Sequence, residues 1–123
     1  MRFTQEELFQ GPIPNGTYPA QIRSAREATS RGGHPMIVVW LKLDGRNGAG
    51  RNITDYFVTD GVSPHALAVA RRRLLSLFRA CGLAPAPDQD TDLRQLEERR
   101  VEVDVEVNTG EGPENRVLRY RQV

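Results

Sequence analysis

The sequence predicts a mainly β domain with a single central helix, and three observations carry this prediction. Apolar and polar residues alternate in five short stretches, which is the period of a half-buried strand. Between the third and fourth stretches, apolar residues recur every three or four positions, which is the period of an amphipathic helix. Hydrophobic residues make up 38% and charged residues 27% of the 123 residues, and these fractions are typical of one globular domain.

Three strands are predicted in the N-terminal half of the domain. The stretch GTYPAQIRSARE, from Gly16, alternates in polarity after a Pro-Asn-Gly turn and predicts strand one. MIVVWLKL, from Met36, predicts strand two, which ends at a glycine-rich connection. RNITDYFV, from Arg51, is rich in β-branched and aromatic residues and predicts strand three. A bulge in strand three would exchange the outward positions of Tyr56 and Phe57.

The helix is predicted in the stretch SPHALAVARRRLLSLFRACG. Ser63 is the expected N-cap, Pro64 occupies the first helical position, and Gly82 follows the last turn. The apolar stripe predicted to face the core consists of Leu67, Ala70, Leu74, Leu77, Phe78 and Cys81. The arginines predicted to face solvent are Arg72, Arg73 and Arg79. An alternative places one arginine of the run 71–73 along the edge of the core.

Two further strands are predicted after the helix. RVEVDVEV, from Arg100, alternates with every valine inward and every acid outward, and RVLRYRQV, from Arg116, predicts strand five. The resulting order, β-β-β-α-β-β, is the element order of an OB-fold. That fold is a five-stranded Greek-key barrel whose helix lies between the third and fourth strands. Residues 1–13 are assigned to an N-terminal extension, and residues 14–123 to the single OB-like domain.

Strand two carries the only tryptophan and the only lysine of the chain, two positions apart on its outward side. In an OB-fold, strands two and three form the face that binds oligonucleotides. Unpaired bases stack on Trp and Tyr rings, while Arg and Lys follow the phosphates. The residues predicted to bind nucleic acid in this way are Trp40, Lys42, Tyr56, Arg23, Arg26, Arg31, Arg51, Arg119 and Arg121.

Structural alternatives exist for several of these residues. Trp40 could instead pack under the N-terminal segment, where Phe3 and Phe9 need partners. Arg119 and Arg121 could form ion pairs with acids of strand four, although the predicted barrel places this acidic row on the far side, away from the cations. The acidic row consists of Glu102, Asp104 and Glu106. The loop between strands four and five adds glutamates and no basic residue, which opposes DNA binding.

The charge distribution allows only a local basic surface. The net charge is +1, although residues 61–83 carry four arginines and no acid. A near-neutral total argues against strongly electrostatic, histone-like DNA binding. No apolar run is long enough for a membrane span, no signal peptide is evident, and the single cysteine favours the cytoplasm.

Enzymatic chemistry is not expected from this sequence. His34 and His65 lack a neighbouring Cys, His or carboxylate at metal-ligand spacing, and Cys81 lies on the apolar side of the predicted helix. Asp44, Asp55 and Asp60 could gather as an acidic cluster, but two of them occupy turn positions, where Asp is expected anyway. No cofactor and no metal is implied.

Several stretches together resemble a family of small phage proteins. They are GTYPAQIRSAREATSRGGHPMIVVWLKLDG, GRNITDYFV, RRRLLSLFRACGL, VEVDVEV and NRVLRY. The family occurs in phage replication and recombination cassettes and was long catalogued as a domain of unknown function. Its members are regarded as OB-fold single-stranded DNA-binding proteins. The resemblance covers residues 14–123 and rests on Arg51, Ile53 and Asp55 in strand three, a helix ending in Cys-Gly, and Asn115 before strand five.

The resemblance implies binding of single-stranded DNA without sequence preference, in the cytoplasm of a bacterial host. It also implies phage or host replication and recombination proteins as partners, and no catalytic residue. The alternative is a protein-interaction module, a phage adaptor or inhibitor of a host nucleic-acid enzyme, whose acidic row would mimic DNA phosphates. The arginines of the helix could extend the nucleic-acid path or form a homodimer contact.

Overall fold

The computed structural model describes residues 1–2, 11–44, 50–110 and 114–123. These residues form five antiparallel strands in one open sheet, one α-helix and a short 3-10 turn. The elements are β1 (Gly16–Thr29), β2 (Pro35–Leu43), β3 (Asn52–Val58), α1 (Pro64–Ala80), the 3-10 turn (Leu93–Leu96), β4 (Arg100–Val107) and β5 (Asn115–Arg121). The prediction of a mainly β chain with one helix between the third and fourth strands is confirmed.

The strands lie side by side in the order β3-β2-β1-β4-β5. The central strand β1 is shared between two partners: residues 16–21 pair with β4, and residues 20–29 pair with β2. A bulge at Arg23 interrupts the ladder with β2. Because a bulge bends a strand and increases its twist, β1 can serve both halves of the sheet. β3 and β5 are therefore the two edge strands.

The core lies between the inward face of the sheet and the last turns of α1. Alternation buries the odd-numbered residues of β2 from Ile37 onward, of β3, and of β4 up to Val105, and Tyr18 of β1 is a core residue, as predicted. Phe57 is 1% exposed whereas Tyr56 is 44% exposed, so β3 has no bulge that exchanges them.

The predicted ends of α1 are confirmed. The Ser63 hydroxyl accepts a hydrogen bond from the backbone amide of Ala66 at 3.2 Å, which satisfies one of the free amides of the first turn. Gly82 follows the helix with φ of +76°, a left-handed conformation that glycine adopts without a Cβ penalty. Only the end of the helix is fully buried, through Leu77 and Phe78, while the first two turns are largely exposed.

Side chains from three elements meet between the two edge strands. Asp55 shares the inward face of β3, and its Oδ2 accepts hydrogen bonds from the Tyr120 hydroxyl at 2.5 Å and from Nη2 of Arg73 at 2.6 Å. The same Nη2 donates to the carbonyl of Val117 in β5 at 3.2 Å, and the guanidinium lies 4.9 Å from the ring centre of Phe57. We call Asp55, Arg73 and Tyr120 the edge network.

The edge network corrects one prediction about the helix. Arg73 was expected on the solvated side, but its side chain is only 31% exposed and binds the buried Asp55. The reason is that α1 packs over the gap between β3 and β5, so its core-facing side is wider than the apolar stripe. The alternative in which one arginine of the run 71–73 lies along the core edge is the one observed.

The segment of residues 11–14 joins the same two edges at the opposite end. The Asn115 side chain accepts a hydrogen bond from the amide of Ile13 and donates one to its carbonyl, both at 2.8 Å. Arg51, just before β3, donates to the carbonyl of Gly11. Ile13 is 2% exposed, so core packing begins within this segment. We call it the N-terminal bridge.

Cys81 provides a direct test of packing at the end of α1. Burial raises the pKa of its thiol to about 11, partly offset by the nearby charge of Arg99. Because the thiolate is the reactive form, we expect alkylation of the native protein by iodoacetamide to accelerate with pH up to about pH 11. In urea, the same reaction should level off about two pH units lower. If the alkylation rate of the native protein reached half of its maximum near pH 8.5, the buried position of Cys81 would be contradicted.

Candidate nucleic-acid interface

The outward side of β1, β2 and β3 forms one continuous surface, which we call the aromatic face. Residues opposite each other in antiparallel strands share a face, so the pairing registers assign its members. They are Gln21, Ser24, Arg26 and Ala28 of β1, Met36, Val38, Trp40 and Lys42 of β2, and Asn52, Thr54, Tyr56 and Val58 of β3. None of these residues is acidic.

Two aromatic rings stand out from this face. Trp40 is 53% exposed and Tyr56 is 44% exposed, although both lie in the middle of strands. Trp40 pairs with Thr54, and Tyr56 pairs with the next outward residue of β2, so the two rings are diagonal neighbours. Such neighbours have Cα atoms about 7–8 Å apart, within reach of one ligand.

The exposure of Trp40 bears on the alternative in which this residue packs under the N-terminal segment. Phe3 and Phe9, the partners considered for it, lie outside the described residues. Ser24, its register partner in β1, has a small side chain that is 9% exposed. One edge of the indole is therefore supported by the sheet, while half of its surface is accessible.

Three cations on or next to the aromatic face have no acidic partner among the described residues. Arg26 and Lys42 are exposed on the aromatic face, and neither forms an ion pair within the part of the chain that the structure describes. Arg31 lies exposed in the β1–β2 turn. That turn is closed by a hydrogen bond from the Ser30 amide to the His34 carbonyl at 2.8 Å. These three side chains keep their charge available for phosphates.

Two further residues predicted to bind nucleic acid, Arg23 and Arg51, already interact with other groups of the protein. Arg23 projects at the bulge of β1, where its Nη1 lies 3.6 Å from Oε2 of Glu98. This pair is well exposed, with half or more of each side chain accessible, so it holds Arg23 only weakly. Arg51 is half-buried and donates to the N-terminal bridge. Its partner is a neutral carbonyl, and it forms no ion pair with any residue that the structure describes.

The structure separates Arg119 and Arg121 from this group. Nη2 of Arg121 lies 2.9 Å from Oδ2 of Asp104, and Nε of Arg119 lies 3.3 Å from the same oxygen. The prediction that the acidic row of β4 lies away from these cations is wrong. β4 and β5 are paired neighbours, so residues opposite each other, including Asp104 and Arg119, share a face.

The whole acidic row is engaged in such pairs. Arg116 donates to Glu106 at 2.7 Å, Arg121 also approaches Glu102 at 3.8 Å, and Asp104 additionally accepts from the Thr17 hydroxyl at 2.6 Å. A row neutralised in this manner does not present a run of negative charge. Phosphate mimicry by β4 therefore has no support in the geometry.

The edge network is the feature that sequence reasoning missed. Burial raises the pKa of the Asp55 carboxyl, although the Arg73 charge and the Tyr120 hydroxyl act in the opposite direction. Burial and the Asp55 charge raise the pKa of Tyr120 well above its ordinary value. Strict alternation in β3 places Asp55 between two inward apolar residues, and this signal could have identified it as a buried acid in need of a partner.

The described residues contain no cluster of three or more His, Cys, Asp or Glu that could hold a metal ion. No helix in the described ranges has both the length and the apolar character needed to cross a bilayer.

Comparison with known families gives one match. A family model described as "Protein of unknown function (DUF669)" matches residues 3–123. No curated protein matches the chain. The resemblance to a family catalogued as a domain of unknown function is thereby confirmed.

Proposed function

We propose that this chain, which belongs to the DUF669 family of proteins of unknown function, binds single-stranded DNA on its aromatic face without sequence preference. The observation that carries the proposal is the exposure of Trp40 and Tyr56 beside Arg26 and Lys42, with no acid at the outward positions of β1, β2 and β3. Glu106 and Glu114 line clefts beside Tyr56, at the edge of this surface. Large rings in mid-strand positions are normally buried. A solvated ring beside unpaired cations matches what unpaired bases and phosphates require.

We further propose that the sheet is an OB-type barrel. Three features support this: the strand order, the sharing of β1 between two halves, and the position of α1 between β3 and β4. The edge network and the N-terminal bridge link the two edge strands without backbone pairing. The aromatic face would then correspond to the strand-two and strand-three surface that OB-folds use for oligonucleotides.

The biological setting is proposed from the resemblance described above. Single-stranded DNA is exposed during replication and recombination, and a small reversible binder protects it there. A phage origin, a role in these processes and action in the host cytoplasm are parts of the same proposal. Binding needs no cofactor, because stacking and phosphate contacts act without one.

Fluorescence of Trp40 during titration with oligo-dT tests the proposal. Trp40 is the only tryptophan, so the signal has a single source. We expect quenching on binding, together with an affinity that falls as salt concentration rises, because phosphate contacts release counterions. Binding reported by a labelled oligonucleotide but silent at Trp40 would contradict the assigned face. An absence of binding at low salt would contradict the function itself.

The salt dependence distinguishes free from neutralised cations. The double variant R26Q/K42Q should bind oligo-dT more weakly. The slope of log K against log salt is negative, and its magnitude should fall by about 1.4, or about 0.7 for each lost phosphate contact. R119Q/R121Q removes the same charge from a position already paired with Asp104, and should leave the slope nearly unchanged. Equal losses in the two variants would show that the strand passes along β5, contrary to the proposal.

A further inference from the structure

A groove of about 440 Å³ lies on the side of the sheet opposite the aromatic face. Ile37 of β2 contributes to its lining, and strand alternation points Ile37 away from the face that carries Trp40. The apolar side chains that line it are Ile37, Leu74, Leu75, Phe78, Pro85 and Leu93. Its volume lies within the range of pockets that bind ligands.

Helical spacing explains one wall of this groove. Leu74, Leu75 and Phe78 lie on adjacent positions of one side of α1, and residues 85–93 form the other wall. Leu74 and Leu93 are only partly buried, although both pack against the core. The helix and the loop thus leave apolar surface accessible between them, a property typical of binding grooves.

The charged residues of the groove favour one kind of ligand. Arg71 and Arg72 line it from α1, both are exposed, and neither forms an ion pair among residues 11–44, 50–110 and 114–123. Glu27 is the only acid among the described residues of the lining. The groove therefore combines an apolar surface with an excess of positive charge. A complementary ligand carries both apolar groups and negatively charged groups.

We propose that this groove binds a short peptide segment of a partner protein, one that combines acidic with large apolar side chains. The apolar side chains would pack against Leu75 and Leu93, and a carboxylate would accept charge-assisted hydrogen bonds from Arg71 or Arg72. Arg71 and Leu75 are about 6 Å apart along the helix axis. An extended peptide covers that distance in about two residues, which sets the spacing between acid and anchor.

A nucleic acid fits this groove less well than a peptide. Among the lining residues that the structure describes, Phe78 is the only aromatic one, and at 4% exposed it offers no stacking surface for a base. Because the groove and the aromatic face lie on opposite sides of the sheet, one molecule could hold DNA and a partner together. The inference does not depend on the function proposed above.

Selection from a library of random dodecapeptides displayed on yeast, with the intact chain as bait, tests the groove. We expect enriched peptides to carry Asp or Glu about two residues from a Leu, Ile or Phe. One enriched peptide, synthesised with a fluorophore, should lose about tenfold in affinity with R71E. The matched control R79E makes the same charge change at an exposed position of α1 outside the groove, and should change affinity less than twofold.

Three outcomes would overturn the proposal. They are enrichment of no acidic-apolar peptide, equal weakening by R71E and R79E, and loss of oligo-dT affinity in R71E, which would assign the groove to the DNA path. Thermal unfolding of both variants verifies that each is folded. If oligo-dT fails to bind but the peptide binds and responds to R71E, only the function of the aromatic face is refuted.

Discussion

Replacement of Trp40 by alanine is expected to lower the affinity for oligo-dT by about 5- to 150-fold, the equivalent of ~1–3 kcal/mol for one stacked base. Trp40 is the most exposed large aromatic side chain among the described residues, so its loss removes a stacking surface rather than core packing. Anisotropy of a labelled oligonucleotide measures the affinity, since the variant has no tryptophan. Trp40→Phe should retain much of the affinity, because a ring remains.

Val69 provides the control for this variant. It is an exposed apolar residue, 36% accessible, but it lies on α1, outside the aromatic face. Val69→Ala should leave the affinity unchanged within about twofold, and both variants should unfold near the wild-type temperature, since exposed side chains contribute little to stability. Equal affinities for wild type and W40A would exclude stacking on this ring.

Replacement of Asp55 by alanine should lower the free energy of unfolding by about 3 kcal/mol. It leaves the half-buried guanidinium of Arg73 without its carboxylate and the buried hydroxyl of Tyr120 without its acceptor. Urea denaturation followed by circular dichroism measures this change. Tyr120→Phe removes a single hydrogen bond and should cost about 1 kcal/mol. A loss below about 1 kcal/mol for D55A would contradict the edge network.

The edge network also predicts a dependence on pH. Since burial raises the pKa of Asp55 above 3.8, the native protein retains this proton where the unfolded chain has released it. Its contribution to stability therefore falls as pH rises through the native pKa. Arg73→Met removes the charge that opposes this shift, so the variant should lose more stability at pH 7 than at pH 4. Arg72→Met, an exposed neighbour, should show no such difference.

Local patterns were sufficient to predict the elements and the aromatic face. Alternation in β2 depends only on the residues of that strand, so the outward position of Trp40 follows from sequence alone. The cap at Ser63 is local for the same reason. The pattern of apolar residues within one element does not reveal which residues of a distant element it contacts. The pairing of Arg119 with Asp104 required the register of β4 and β5.

The error at Arg73 has a similar origin. A helical wheel shows which polar and apolar residues share one side of a helix. It contains no information on the other elements against which the helix packs. Here α1 covers a gap that contains a buried carboxylate, so an arginine is the residue that fits there. The groove beside α1 could not be predicted either, because its second wall comes from a loop without periodicity.

The N-terminal bridge has a consequence for the order in which the chain folds. Its bonds join Ile13 and Asn115, which are 102 positions apart, and the Tyr120–Asp55 bond spans 65 positions. Closing such long loops costs more chain entropy than forming a hairpin between neighbouring strands. The meander of β1, β2 and β3 consists of such hairpins, so we expect it to form early and the two edges to be joined late. The surface that carries Trp40 and Tyr56 would then be assembled from local contacts, before Ile13 meets Asn115.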